Sequence, residues 1–575
     1  MTKSRWLPAL PLAVATVFSP LARAATCKCL SSQPCWPSAS NFLQLASQVS
    51  QPLIYPVPPA SACYPPFNSS AGSCAEIEGH LLDDAWRTDL PGAMISTNFE
   101  SYTFDNGTID ACYYNVLLGV PCHQGNIAVI GVDARSVSDI QAAVNFAAKF
   151  YLRLVVKNTG HDYLSRSMAR GAFMLWTHHL KDIAYDDAFV PSGAPSNAPT
   201  YKALTVGAGV QWYEAYAAAD AHGRAIVGGE CPSVGAGGGW PQGGGHSNLS
   251  PSFGLGADNI IQLAVVLANG EYVTVNAYQY QDLFWALRGG GGGTYGIVVS
   301  VTYQTHDIQP TTSVNLTMVF PLPVVAQNAM TELFKILPSL QDSLWSGGYI
   351  FSNKTLISNN LASNTAIAQG DPIFNSLIER ARAAGAIVTT SRQSAPSFYA
   401  ASTPFYSTFN SLGGIPTELI SRFISITAAK EQPEQVAKVV LGVNNGGFLL
   451  YEAVGGGKLS QIDPDSVGVN PAWRQTIGVF ESTVTWPEGT STAGINRLRQ
   501  IAAADLESLN AISPNNGTYL NEASLYEKNF QNTFFGSHYA RLKEIKGVYD
   551  PNDLFIVAEG VGSEDWDKSL NCRLD

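Results

Sequence analysis

Apolar and polar positions alternate along this chain in rhythms that predict strands and helices in close succession. Ile127 to Val132 is a short apolar run that predicts a strand. Ser136 and Asp139 form a capping-box start, after which Ile140, Val144, Ala147 and Tyr151 recur at helical spacing and give one buried face. Leu152 to Val156 predicts the next strand and closes a β-α-β unit whose exit loop runs from Lys157 to Tyr163. The pattern returns as a strand at Ala203 to Val206, a helix from about Gln211 to His222 and a strand at Ala225 to Val227, again opening into a glycine-rich loop. Two such units predict a ligand held between their loops. Ile260 to Asn276 reads as a hairpin turning at Asn269-Gly270, a dipeptide that favours a type I′ turn. A helix at Gln281 to Leu287, a turn at Gly289 to Gly293 and a strand at Ile297 to Tyr303 complete this part.

From about Asp307 to Asn510 the helices and strands lengthen and the glycine clusters disappear. Asp371-Pro372 predicts a helix start, with Phe374, Leu377, Ile378 and Ala381 on one face, and Ala386 to Ser391 and Gly447 to Val454 predict strands. The fold class expected is α+β. Residues 123–308 form the ligand-binding domain, 309–510 a second α+β domain with an antiparallel sheet backed by helices, and 511–575 a segment that returns to the first domain. Residues 26–122, rich in Cys, Pro and Ser, predict a disulfide-braced extension.

At 575 residues the chain is too long for one core, and with 46% hydrophobic and 14% charged residues it excludes large-scale disorder. A net charge of −12 disfavours nucleic acid and anionic lipid as partners. Lys3 and Arg5, an apolar run from Leu7 to Leu21 and then Ala22-Arg23-Ala24 have the form of a secretory signal over 1–25; a run this short, holding Pro8, Pro11 and Pro20, argues against a membrane anchor. In a secreted chain nine cysteines leave one needing a separate explanation. With Cys231 set aside eight remain, enough for four disulfides of connectivity that the sequence leaves open. Six sequons, at Asn68, Asn106, Asn248, Asn315, Asn353 and Asn516, fit a glycosylating pathway.

The most informative segment is Gly228 to His246, in which nine of nineteen residues are glycine. Such a run suits close backbone approach to a flat or charged group, and its N–H groups can cradle a pyrophosphate. A flexible linker is the bland alternative, weakened by Cys231, Trp240 and His246. Gly291-x-Gly293-x-x-Gly296 matches a dinucleotide fingerprint but follows a helix and precedes a strand, the reverse of the required order, so it reads as a tight turn. A serine-hydrolase elbow fails because Cys231 stands where glycine is needed two residues before Ser233. His178 and His179, being adjacent, cannot share a face as zinc ligands, and no metal is expected.

Lys157-Asn158-Thr159-Gly160-His161-Asp162-Tyr163 and Cys231-Pro232-Ser233-Val234-Gly235 resemble the two flavin-attachment motifs of the berberine bridge enzyme-like oxidases in the vanillyl alcohol oxidase superfamily. The fungal secreted branch, including isoamyl alcohol oxidases, looks most similar, and the resemblance returns at Tyr519-Leu520-Asn521-Glu522 and over Lys546 to Phe555. It implies a two-part FAD-binding domain of the PCMH type and FAD bonded twice: His161 to the 8α-methyl, Cys231 to the neighbouring C6. It further implies that Asn158, Thr159, Gly160, Asp162, Gly235, Gly237, Gly238, Gly239 and Asn521 contact the cofactor. Val234 falls at the oxygen-access position, which implies that O2 is reduced to H2O2. Glu522 stands where relatives often carry an aromatic residue; a carboxyl against the flavin face is expected to have a raised pKa and to take a substrate proton. Asp465 is a second candidate base, and Tyr451 and Tyr519 are expected to orient substrate. The implied activity is oxidation of an alcohol-type or secondary-metabolite substrate by a secreted monomer. Two alternatives are a carbohydrate lactol oxidase, which needs stacking aromatics such as Trp345, Tyr349 or Trp486, and a secreted binding protein that keeps the fold without the chemistry.

Overall fold

The computed structural model describes residues 27–64, 72–363, 367–405, 413–443 and 448–574; the expected signal segment and Asn68 lie outside them. Three strands, Ile130–Asp133, Phe173–Trp176 and Leu154–Lys157, form a parallel sheet in that order. The predicted helix spans Val137–Lys149, is capped by the Ser136 hydroxyl and buries Ile140, Val144 and Ala147. The expected β-α-β unit is therefore present, with Phe173–Trp176 inserted between its two strands.

The second unit differs from the expectation. Tyr201–Gly207 belongs to a five-stranded antiparallel sheet, in the order Tyr272–Asn276, Ile260–Val266, Ile297–Gln304, Tyr201–Gly207, Ile183–Phe189. The strand after the helix Trp212–Ala221 is only Arg224–Ala225 and pairs elsewhere, with His306–Asp307. Backbone beyond Ala225 leaves the sheet to become the glycine-rich loop. At the predicted hairpin the Gly270 N–H donates to Leu267 O and the Leu267 N–H to Glu271 O, with positive φ at Gly270 but not at Asn269. That is the three-residue turn with a glycine bulge rather than type I′, because only one left-handed residue is used.

A seven-stranded antiparallel sheet follows: Ile387–Ala395, Thr311–Val319, Thr355–Ser363, Ser346–Phe351, Leu449–Ala453, Thr476–Thr485 and Thr417–Ser425. Helices Pro323–Asp342, Ile367–Ala383 and Pro433–Gly442 cover one face, and their core includes Phe334, Leu337, Phe374, Leu377 and Ile378. The second of these helices begins before Pro372 rather than at it. The other face turns toward the glycine-rich loop. The C-terminal segment packs back on the first sheets, where Lys546 Nζ donates to Thr294 O and Arg166 to Ala558 O.

Four disulfides pair eight cysteines: Cys27 with Cys572, Cys29 with Cys35, Cys63 with Cys74 and Cys112 with Cys122. Cys231 keeps its thiol. The extension is pinned by Arg87, fully buried, which donates to Met94 O and Tyr114 Oη and pairs with the buried Glu100 carboxylate. Removing one partner of a buried pair strands the other charge. Arg87→Met is therefore expected to destabilise the protein by about 3–5 kcal/mol, read as a lower midpoint in urea unfolding; an unchanged midpoint would contradict the pinning role.

Candidate active site

Two loops meet over one cleft. The first leaves the strand Leu154–Lys157, turns through Gly160 at φ +88, a conformation that favours glycine, and presents His161. Asp162 shapes this loop: its carboxylate accepts the Leu164 N–H at 3.0 Å and the Ser167 N–H at 2.7 Å. The second loop presents Cys231. His161 Nε2 lies 2.9 Å from Ser233 Oγ and 4.0 Å from Cys231 Sγ. Gln211, at the helix start, fixes this arrangement by donating to Ser233 O at 2.8 Å.

Burial pushes the His161 imidazole down to about 3, with Lys157 adding to the effect, so the ring is neutral and its nitrogen lone pair is available. Burial pushes the Cys231 thiol up to about 12 despite the Ser233 hydrogen bond.

The cleft has the character of a nucleotide cradle. Asn158 Nδ2 donates to Ala208 O at 2.6 Å and to Thr177 Oγ1 at 3.1 Å, while Thr159 is buried beside it. A Cβ on Gly235 would lie 2.1 Å from Asn158 Oδ1, one on Gly237 2.8 Å from Ala208 Cα, and one on Gly238 3.0 Å from Asn158 Cγ, whereas Gly239 faces open space. A side chain at Gly235 or Gly238 would collide with Asn158 of the first loop, and one at Gly237 with the backbone at Ala208. Asn158 Oδ1 and Gln242 Oε1 are buried acceptors with no protein donor, which suits a polar ligand such as FAD. Val234 lines the same cleft.

Glu522, Asn521 and Tyr519 also line it. Asn521 Nδ2 donates to Tyr519 Oη at 2.7 Å and to Gly239 O at 3.2 Å, which ties the C-terminal segment to the glycine loop. Glu522 Oε2 is 2.9 Å from His246 Nε2, and His246 Nδ1 is 3.1 Å from Glu452 Oε2. Glu481 completes the group, with one atom each of His246, Glu452 and Glu481 within 4.8 Å of one another. Glu452 and Glu481 are diagonal neighbours on one face of adjoining strands, because Glu481 pairs with Leu450 and Glu452 with Val479.

Burial alone would lower His246, but the Glu522 and Glu452 carboxyls outweigh it and raise the imidazole to about 10. Burial would raise Glu522, yet the His246 charge and hydrogen bonds from His246 and Glu481 hold it below its ordinary value. Glu452 and Glu481 go the other way, pushed well up by burial and by neighbouring carboxyls. Glu522 is thus an anion, which corrects the expectation of a raised pKa.

Two predicted residues lie elsewhere. The Asp465 side chain is 78% exposed and bonds His538 Nε2 at 3.0 Å, away from the cleft. Tyr451 is fully buried on the helix-covered face, edge-on to Phe334, because strand alternation sends Glu452 and not Tyr451 toward the site. Of the aromatics a sugar groove would need, Trp345 and Tyr349 are core residues, and Trp486 borders a separate surface cleft. Asn248 donates to Glu230 inside the protein, which sets it apart from an exposed sequon such as Asn106. His246, Glu230, Glu452 and Glu481 were not singled out from sequence as site residues; the available signal was a lone carboxylate within each of two otherwise uncharged strands.

The fold and this cleft define a flavin-dependent oxidoreductase. The FAD binding domain family matches residues 130–276, and the berberine and berberine-like family matches residues 518–562. An FAD-linked oxidoreductase of Arthroderma benhamiae is 36% identical over 95% of this chain and 96% of its own length. The VAO-type flavoprotein oxidase VAO615 of Thermothelomyces thermophilus is 31% identical over 96% of this chain and 95% of its own. The crystal structure of the VAO-type flavoprotein MtVAO615 from Myceliophthora thermophila superposes with a TM-score of 0.85 at 28% identity, covering 96% of this chain and 100% of that one. The chain belongs to the berberine bridge enzyme-like FAD-linked oxidoreductases of the vanillyl alcohol oxidase superfamily.

Proposed function

We propose that this protein is a secreted oxidase that holds FAD through His161 and Cys231, takes hydride from an alcohol-type or secondary-metabolite substrate, and delivers the electrons to O2 to give H2O2. The observation that carries the reading is the 4.0 Å separation of His161 Nε2 and Cys231 Sγ on two different loops facing one glycine-lined cleft. Side chains this close on two loops support attachment at neighbouring positions of one ring edge. Glucooligosaccharide oxidase from Acremonium strictum, 19% identical with a TM-score of 0.64, is described with a 6-S-cysteinyl, 8α-N1-histidyl FAD, the same pair of residue types. Four disulfides and the basic-then-apolar leader support secretion.

Bound FAD supplies a two-electron acceptor for hydride. The protein does the rest. The Glu522 carboxylate takes the hydroxyl proton as the carbon loses hydride and the carbonyl forms. The His246 imidazolium, held by Glu452 from behind, keeps that carboxylate charged and aimed. Tyr519 and Asn521 fix the segment from which Glu522 projects, and Val234 on the cleft wall is the point proposed for O2 access.

Cys231→Ala is expected to keep its flavin through His161, to shift the visible spectrum, and to slow reduction by about tenfold or more, each tenfold standing for about 1.4 kcal/mol of barrier. An unchanged spectrum and rate would contradict the second bond. Peroxide release across alcohols, aromatic metabolites and oligosaccharides then assigns the substrate class. Trp345, Tyr349 and Trp486, the aromatics named for a sugar groove, lie outside the cleft, while Tyr163, Trp240 and Tyr519 line it; peroxide from oligosaccharides alone would overturn the alcohol reading.

A further inference from the structure

One carboxylate in the flavin cleft comes neither from the two loops nor from the C-terminal segment that carries Glu522. Asp84 lies on the short helix Asp84–Thr88 of the disulfide-braced extension, is 1% exposed, and lines the cleft. Its Oδ1 accepts the Gly413 N–H at 2.9 Å, and a Cβ on Gly413 would sit 2.1 Å from that oxygen, so a loop of the second domain presses on it. The helix is locked beneath by Arg87, and the neighbouring backbone crosses the flavin loop, with the Ile95 N–H donating to Gly160 O at 3.2 Å. A carboxylate oxygen of Asp84, the Cys231 sulfur and a ring nitrogen of His161 all lie within 4.8 Å of one another.

We infer that Asp84 is the base of cofactor attachment: it accepts the Cys231 thiol proton as the sulfur becomes bonded to the flavin ring. The inference rests on the two-bond reading above and adds the residue that makes the second bond possible. Forming that bond breaks one S–H and one ring C–H bond and makes one C–S bond. The two electrons released pass by way of the ring to O2, which with the two protons becomes H2O2; Asp84 holds the thiol proton first.

A base is needed because the site disfavours the thiolate. Burial holds the thiol protonated, and the His161 ring, neutral in the same apolar surroundings, supplies no compensating positive charge. Ser233 Oγ, 3.4 Å from the sulfur, is too weakly basic to take the proton. Tyr163, the other polar group of this wall, is a phenol that burial and nearby carboxylates keep protonated. Glu522 is already engaged by His246. Among the described residues Asp84 is the one carboxylate in the His161 and Cys231 group. An extension that reads in sequence as a brace thereby contributes a reactive group to the cofactor site.

The test uses full-length protein and needs no substrate. Wild type, Asp84→Asn and Asp84→Ser are purified, checked for bound flavin by absorbance, and digested; mass spectrometry then gives the fraction of the His161 and Cys231 peptides carrying flavin. Asparagine keeps an oxygen for the Gly413 N–H, and the smaller serine serves if that variant fails to accumulate. The expected result is yellow variant protein in which the Cys231 linkage falls to one-tenth of wild type or less and rises only slowly on incubation with FAD in air. Variants linked at Cys231 as fully as wild type would overturn the role of Asp84. A wild-type protein without flavin on either peptide would instead overturn the two-bond reading itself.

Discussion

Glu522→Gln is expected to lower kcat by about 10²–10⁴-fold while leaving the flavin bound and its spectrum nearly unchanged. The side chain lines the cleft, is kept anionic by its neighbours, and has a hydrogen-bonding partner that fixes its direction. Glutamine preserves shape and polarity but cannot take a proton from a hydroxyl. Stopped-flow reduction with the substrate found by peroxide screening measures this directly. A variant within threefold of wild type would show that another group receives the proton.

His246→Gln is expected to have the next largest effect, and its signature is in the pH dependence. With the imidazolium removed, Glu522 faces the buried carboxyls of Glu230, Glu452 and Glu481 and the phenols of Tyr163 and Tyr519 without an opposing charge, and its pKa rises. The acid limb of kcat/KM should move up by one unit or more, about tenfold in rate at a pH on that limb. Stability shifts with it. His246 has a folded pKa raised from 6.5 to about 10, so its contribution is complete below pH 6.5 and is lost as the pH rises toward 10. Glu522 is depressed, so its contribution is present above the ordinary carboxylate pKa and is lost on acidification through its lower folded value. The His246 contribution to thermal stability should therefore weaken between pH 6.5 and 10, against the opposite trend of the buried Lys28 and Lys157, and it is read as the difference between wild type and His246→Gln across that range. Equal slopes in both proteins would contradict the pairing.

The two loops that meet over the cleft were legible in the sequence because each is contiguous. His161 follows a strand after a turn glycine, and Cys231 sits in a run where nine of nineteen residues are glycine, so the chemistry and the backbone requirement appear side by side. The odd cysteine was legible for the same arithmetic reason, and the eight others do pair. The carboxyl cluster was not, because Glu230 and His246 of the glycine run meet Glu452 and Glu481 of two strands and Glu522 of the C-terminal segment only once the seven-stranded sheet and that returning segment are in place. Strand alternation decided between Tyr451 and Glu452, and the two point to opposite faces; the register that settles which face meets the flavin loops is a property of the whole sheet. Asp465 misled for a related reason: it lies close in sequence to a sheet strand yet on a surface turn. The second predicted β-α-β unit failed because an apolar triplet after a helix is compatible with a strand but does not say which sheet it joins.

Attachment of one flavin by two side chains from separate loops is decided by peptide mass spectrometry of the native protein. Digestion is expected to yield the His161 and Cys231 peptides joined through a single flavin. Recovery of both peptides unmodified, from protein that nonetheless contains FAD, would contradict it.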